Sequence, residues 1–215
     1  MYFSKTLVVL GTLVAALAVT LAPIGASAQA KAFRVRNDGG SRVQFTSDAP
    51  LETINGVTSN VSGEVQIDPA NLATVTGRVQ VQTSSLRTGV DLRDEHLAAE
   101  NWLDAARYPN ITFEVTRISG ATSLTPNQAA EVQIHGRLTL HGVTRDVVAR
   151  GRMEYIPLTE AVRGPGIDGD VIRVRARFTV RLPDFNVSVP TIVRLKVSDE
   201  IEVGVSIRAI AAPAS

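Results

Sequence analysis

Apolar and polar residues alternate along most of this chain, and this period of two residues constrains the fold more than any other feature. Side chains of a β-strand point alternately to opposite faces, so each such run predicts a strand with one dry face. Six runs lie at residues 61–67, 75–82, 111–115, 132–140, 147–155 and 201–208. The clearest run spans residues 172–182, in which the apolar positions are separated by Arg173, Arg175, Arg177, Thr179 and Arg181.

Residues typical of turns separate these runs, at 37–40, 68–69, 125–127, 141–142 and 164–166. About eight to ten strands without repeated helical crossovers predict an antiparallel sandwich or barrel. One segment departs from the pattern, because residues 91–107 place apolar side chains near helical spacing. We predict a single short helix there, with Asp91 as its cap and Tyr108-Pro109 ending it. No second domain, linker or internal repeat is found.

The first 28 residues have the features of a secretory signal peptide. Lys5 provides a positive start, residues 6–21 are almost wholly apolar, and Ala26-Ser27-Ala28 is a small-residue cleavage pattern. A retained membrane anchor is the alternative, but the apolar run is short and Pro23 and Gly25 interrupt it. We therefore expect residues 1–28 to be removed near Ala28, and a periplasmic mature domain over residues 29–215 without a transmembrane span.

Charge and cysteine content exclude several classes of protein. Removal of Lys5 with the leader would leave equal numbers of basic and acidic residues, and a neutral domain argues against a nucleic-acid partner. The sequence contains no cysteine, which excludes disulfides, cysteine-ligated metals, thiol catalysis and lipidation of an N-terminal cysteine.

The same alternation distinguishes a barrel in water from one in a membrane. If the polar face pointed outward into lipid, each arginine near the midplane would cost about 2–4 kcal/mol. If it pointed inward, aromatic girdles would be expected at both rims, yet the chain has only one Trp, three Tyr and six Phe. We therefore expect an aqueous barrel with a dry interior, which is either a packed core or, at eight or more strands, a space for one small ligand.

Several stretches, taken in order, resemble the YceI-like family. These are Ser41 to Phe45, Gly63 to Pro69, Thr83 to Gly89, Arg93 to Leu97, Trp102 to Asp104, Tyr108-Pro109, Ile111 to Phe113 and Gly136 to Arg145. Arg181 to Phe185 matches only in part, because Pro183 and Asn186 replace the family's Ser and Gly. Members of the family often have a His directly before the residue equivalent to Ser41, whereas Gly40 occupies that position here.

The resemblance implies a lipocalin-like antiparallel barrel of about eight strands with one short helix capping or flanking it. It further implies a periplasmic, non-enzymatic carrier whose ligand is a polyisoprenoid or another amphiphilic, lipid-like chain. We expect the ligand to contact apolar residues that lie on the dry faces of the strands or on the capping segment, with Trp102 and Tyr108 at the mouth. The candidates are Phe45, Trp102, Leu103, Tyr108, Phe113, Leu138, Phe178 and Phe185.

Two alternative functions stay open at this point. In the first, the barrel is filled and is a protein-interaction or stress-related periplasmic module that binds an acidic partner surface through its arginine-bearing face. In the second, the barrel carries an unrecognised hydrolase site on its rim. Arg93 and Asp94 either meet a ligand head group or form an ion pair at the helix start, and the helix dipole favours the second interpretation. A homodimer is compatible with the sequence.

Little in the sequence indicates a cofactor or a catalytic centre. His96, His135 and His141 fall on the helix, on an outward strand position and in a turn, so no metal site is expected. No Gly-x-Ser-x-Gly motif is present, and most strand acids have the outward parity. Residues 164–169 are rich in glycine but lack the lysine of a phosphate-binding loop, and we interpret them as a flexible hairpin or lid.

Overall fold

The computed structural model describes Met1 and residues 30–212. Apart from Met1, the predicted leader and its cleavage site lie outside these described residues. Within them the structure has ten strands and one α-helix, α1 (Asp91–Ala98). The strands are β1 (Lys31–Val35), β2 (Arg42–Asp48), β3 (Thr53–Thr58), β4 (Val61–Asp68), β5 (Asn71–Gln82), β6 (Asn110–Ser119), β7 (Ala129–Leu140), β8 (Val143–Ile156), β9 (Val171–Arg181) and β10 (Glu200–Ala211).

The ten strands occupy eight positions of one closed antiparallel barrel. β1 and β2 run in the same direction and share one position, interrupted at residues 36–41, and β3 and β4 share the next in the same way. From β4 to β10 each strand pairs with the one that follows it in sequence. The predicted all-β fold, an antiparallel barrel of about eight strands with one short helix, is confirmed.

The barrel closes at β10, which pairs with β9 along one edge and with both segments of the first position along the other. Residues 201–206 of β10 pair with β2, and residues 209–211 pair with β1. Closure satisfies the backbone groups that an open sheet would leave unpaired at its edges.

The faces of the strands follow the predicted parity. On β9 the side chains of Ile172, Ala176 and Val180 are buried, whereas Arg173 and Arg175 are exposed to solvent. No helix in the described part of the chain is long and apolar enough to cross a bilayer.

The predicted helix at residues 91–107 is too long. α1 ends at Ala98, because Ala99 adopts an extended backbone conformation and the chain then forms turns up to Tyr108. Asp104 has a left-handed φ of 46°, which ends any helical continuation. Asp91 is not the cap either, since Val90 occupies that position and provides no side-chain cap.

At one end of the barrel, hydrogen bonds to Asp170, in the loop before β9, join three parts of the chain. Its carboxylate accepts hydrogen bonds from Lys31 Nζ and Tyr155 Oη at 2.8 Å each and from Leu158 N at 2.9 Å. Burial alone would raise the pKa of Asp170, but these donors outweigh burial and lower it. Burial and the Asp170 carboxylate together raise the pKa of Tyr155 to about 12.

We expect Tyr155→Phe to lower the free energy of unfolding by about 1–2 kcal/mol near neutral pH, because it removes a hydrogen bond to a charged acceptor. The difference should shrink as acid protonates Asp170, whose lowered pKa stabilises the folded state only while the carboxylate is ionised. It should also shrink between about pH 10 and 12, because there the unfolded tyrosine ionises before the folded one.

Urea unfolding at a series of pH values measures this difference. Tyr108→Phe is the matched control, since the Tyr108 hydroxyl makes no hydrogen bond within the described residues. A difference that stays constant with pH would contradict the role given to Asp170.

Candidate ligand-binding cavity

The barrel interior is not filled by side chains and contains a cavity of about 520 Å³. All ten strands contribute inward residues to its wall, mostly Val, Ile and Leu. Few of the inward-facing strand residues are large and aromatic, so the wall is mainly aliphatic. Aliphatic side chains are too short to reach across an eight-stranded lumen. The open interior argues against the filled-barrel alternative.

The polar groups of the lining are confined to one end of the cavity. They lie on the end of β2, the β2–β3 turn, the segment leading into α1, α1 itself and the segment after β9, and comprise Ser47, Glu52, Thr88, Arg93, His96 and Lys196. The rest of the wall is apolar. The cavity therefore has a long dry body and one polar end.

This polar end is also where the cavity opens to solvent. Ile192, which lines the cavity, is 93% exposed, and His96 and Lys196 are exposed as well. At the opposite end Ile172 and Ala209 are each only 2% exposed. We call the open end the mouth.

Three segments that frame the mouth are joined by specific contacts. In the β2–β3 turn, Leu51 N donates a hydrogen bond of 2.8 Å to Leu195 O in the segment after β9. Arg93 on α1 forms an ion pair of 2.9 Å with Glu52 in the same turn. The predicted Arg93–Asp94 ion pair is therefore wrong, because the Asp94 carboxylate instead accepts hydrogen bonds from Thr88 N and Oγ1 at 2.7 and 2.6 Å.

Phenylalanine rings lie flat against glycines on neighbouring strands. A Cβ atom added at Gly56 would overlap the ring of Phe45, and one at Gly136 would overlap the ring of Phe113. Phe113 also stacks on Phe178, with ring centroids 6.3 Å apart. The glycines leave room for the rings along the wall, so that the rings cover strand backbone instead of crossing the lumen.

The structure brings six of the eight candidate residues together in the cavity wall: Phe45, Trp102, Leu103, Phe113, Leu138 and Phe178. Tyr108 and Phe185 lie outside the lining. The Tyr108 ring packs against His141 and Gly142 of the β7–β8 turn, at 4.9 Å between the two ring centroids. Phe185 is 3% exposed and belongs to the packed cluster beside the mouth, where its carbonyl contacts His141.

Apart from Arg93, sequence reasoning missed the polar residues of the mouth, and it also missed the segment at residues 190–197. Most of these residues lie on α1, in turns or in a short 3₁₀ helix, where alternation predicts nothing about side-chain direction. Ile192 and Leu195 are apolar but exposed. Apolar residues outside the strands were a possible sign of this segment, but the alternation of residues along strands does not detect them.

The mouth offers charged groups but no grouped ligand set for a metal. His96 is on α1, His135 is on the outer wall beside Arg117 and Ser119, and His141 is in the β7–β8 turn. No cluster of three or more His, Asp or Glu side chains suited to a metal ion occurs among residues 30–212. The glycine-rich loop at residues 164–169 connects β8 to β9 at the closed end, so it is not a lid over the mouth.

A model of the YceI-like domain family matches residues 35–209, which is nearly the whole barrel. The chain belongs to the YceI-like family. The match begins within β1 and ends within β10, so this YceI-like domain coincides with the closed barrel.

Relatives of this YceI-like protein include UPF0312 proteins of several bacteria. One from Vibrio cholerae serotype O1 is 33% identical over 95 residues, covering 44% of this chain and 47% of that protein. One from Enterobacter sp. is 29% identical over 136 residues, covering 62% of each. The chain thus matches about half the length of the first of these relatives.

Solved structures of other bacterial proteins share the fold. A polyisoprenoid binding domain from Saccharophagus degradans superposes with a TM-score of 0.64 at 17% identity, covering 86% of this chain and 99% of that one. BcnA of Burkholderia cenocepacia gives a TM-score of 0.63 at 19% identity, covering 81% and 98%. At these identities the likeness shows the fold alone.

We expect Gly56→Ala to lower the free energy of unfolding by about 1–3 kcal/mol, because the new methyl group displaces the Phe45 ring from its place on the wall. In a Phe45→Leu background the same substitution should be much less destabilising, since the ring it displaces is gone. Urea unfolding of the two single variants and the double variant measures this coupling.

Gly164→Ala is the control, because a Cβ there has no neighbour within 4 Å. Equal effects of Gly56→Ala in both backgrounds would show that the ring does not rest on Gly56.

Proposed function

We propose that this protein is a non-enzymatic periplasmic carrier that holds an amphiphilic chain, a polyisoprenoid or a fatty-acid derivative, inside its barrel. The observation that carries the proposal is the apolar cavity of about 520 Å³ inside the barrel, whose charged lining groups lie at the mouth. A ligand with a long apolar tail and a polar head matches this division of the wall.

The energy of burial is sufficient for useful affinity. A chain of about fifteen methylenes gains about 12 kcal/mol at 0.8 kcal/mol for each buried group. Association and ordering oppose binding by about 4–15 kcal/mol. The remainder is consistent with a complex that forms and releases its ligand without a chemical step.

The proposed orientation follows from the lining. The tail lies against Phe45, Phe113, Leu138 and Phe178 in the body of the barrel. The head group lies at the mouth near Trp102 and Leu103, where it meets the Glu52–Arg93 ion pair, His96 and Lys196.

Family and fold support this proposal. The related barrel from Saccharophagus degradans is described as a polyisoprenoid binding domain. The predicted leader at residues 1–28 supports export, and the cavity supplies binding surface without requiring a catalytic group.

Native mass spectrometry of protein purified from the periplasm of its host tests the proposal. We expect an added mass that organic extraction removes and identifies as a lipid-like chain, on a polypeptide that begins at Gln29. The same spectrum reports whether the protein is a homodimer. Protein that is consistently empty and takes up no fifteen-carbon isoprenoid alcohol would contradict the carrier function.

Ala149→Phe should exclude long chains, because Ala149 lines the cavity and is 4% exposed, so that its new ring occupies the lumen. We expect at least a tenfold loss of affinity for the fifteen-carbon alcohol, about 1.4 kcal/mol, measured by equilibrium binding. Thr179→Phe is the matched control, since Thr179 points outward from β9. Equal losses in both variants would indicate a general effect of the substitution on the fold.

Trp102, the only tryptophan of the chain, should report ligand binding directly. Because it lines the cavity beside the mouth, a bound chain excludes water from its ring, and we expect its fluorescence emission to shift to shorter wavelength during titration with the fifteen-carbon alcohol. A four-carbon alcohol is the control. A complex detected by mass spectrometry without any emission change would place the ligand away from Trp102.

A further inference from the structure

The outer wall of the barrel carries an unusual concentration of arginine. A shallow groove of about 570 Å³ crosses strands β8, β9, β10 and β2 on the outside of the barrel. Five arginines line it: Arg42, Arg150, Arg152, Arg175 and Arg177. It is separated from the ligand cavity by the barrel wall, so it takes no part in the proposed carrier function.

Small residues form the floor of this groove. Ser206 on β10 lies directly opposite Arg175 on β9 and Arg42 on β2. Gly204, two residues away on the same face, lies opposite Arg177 on β9. Opposed residues of neighbouring strands are about 4.5–5.5 Å apart. Arginines therefore flank Ser206 on both sides, whereas Gly204 has Arg177 on one side and the Gln44 side chain on the other.

Two pairs of these arginines face each other directly across the β8–β9 ladder. Arg152 is opposite Arg175, and Arg150 is opposite Arg177. Like charges in directly opposed positions destabilise a strand pair. The groove therefore concentrates positive charge at positions where the folded sheet does not benefit from it.

Several arginines elsewhere on the outer wall are opposed by acidic residues. Arg137 on β7 lies opposite Glu114 on β6 and forms an ion pair of 2.7 Å with it, and Arg34 on β1 pairs in the same way with Glu64 on β4. Arg173 and Arg208 also oppose each other outside the groove, but each of them forms an ion pair with an acidic residue.

Acidic residues compensate only part of the charge of the groove. Glu131 pairs with Arg152 at 2.5 Å, and Glu202 lies 3.9 Å from Arg177. Arg42, Arg150 and Arg175 form no ion pair within the described part of the chain, and all three are exposed. Three guanidinium groups without an acidic partner among the described residues thus line the same groove.

We propose that this groove binds a compact, multivalent phosphate group such as a diphosphate. The planar guanidinium group donates two parallel hydrogen bonds to phosphate oxygens, and arginine is favoured over lysine at such sites for this reason. Several negative charges within one small group match three uncompensated cations on neighbouring strand positions. The Ser206 hydroxyl on the floor provides a further donor.

Isothermal titration calorimetry with inorganic pyrophosphate tests the proposal on the full mature chain. We expect binding that weakens as salt is raised, because the contacts lie on the protein surface. Arg175→Gln should lower the affinity at least tenfold. Arg137→Gln removes another exposed arginine from a different part of the wall and should leave the affinity unchanged.

Thermal unfolding adds a readout that separates binding from structure. Because Arg175 opposes Arg152, Arg175→Gln should unfold at the same or a higher temperature than the native protein when no anion is present. Pyrophosphate should raise the Tm of the native protein and of Arg137→Gln, but not that of Arg175→Gln. No calorimetric binding, or equal losses of affinity in both variants, overturns the proposal.

Two further titrations identify the source of the phosphate. Binding to phosphatidylglycerol vesicles that pyrophosphate displaces would assign the groove to a phospholipid head group, whereas binding of pyrophosphate alone would assign it to a free phosphate ligand. Polyglutamate that binds more tightly than pyrophosphate would overturn the phosphate assignment in favour of an acidic polypeptide.

Discussion

The hydrogen bonds that close the barrel at β10 are the constraint on which the other features of this protein depend. Because β10 pairs with β1 and with β2 along the same edge, the sheet has a fixed circumference of eight strand positions. Inward side chains must then fill a lumen whose width they do not control. Where they are short, as Ala149 on β8 and Val174 and Ala176 on β9 are, space remains in the lumen.

The division of the cavity into a dry body and a polar mouth arises from the same geometry. Side chains alternate along the strands, so the strand residues that line the cavity are apolar except for Ser47 at the end of β2, and charged groups reach the lumen only where the chain leaves the sheet. The three segments that frame the mouth are of this kind. These segments have both apolar and charged side chains. Contacts between the segments, such as the Arg93–Glu52 ion pair, hold them in place around the opening.

Alternation in the sequence was enough to predict the strands, the buried face and the outward direction of the arginines, because a period of two residues determines side-chain direction within a strand. The same reasoning placed Phe45, Phe113, Leu138 and Phe178 on the inner face, where the structure has them. It failed beyond the sheet. The end of α1 depends on the backbone conformation of Ala99, and the ion-pair partner of Arg93 is distant in sequence. The direction of the Phe185 side chain is set by a 3₁₀ turn. A local sequence pattern predicts none of these features.

Both ends of the described barrel chain lie at the closed base. Ala32 O accepts a hydrogen bond of 2.8 Å from Ala212 N, so the polypeptide enters and leaves the domain at nearly the same point, opposite the opening. A tether, tag or fused protein attached at either terminus would therefore extend away from the entrance. The domain can be immobilised on a solid support through either terminus while its opening remains accessible from solution.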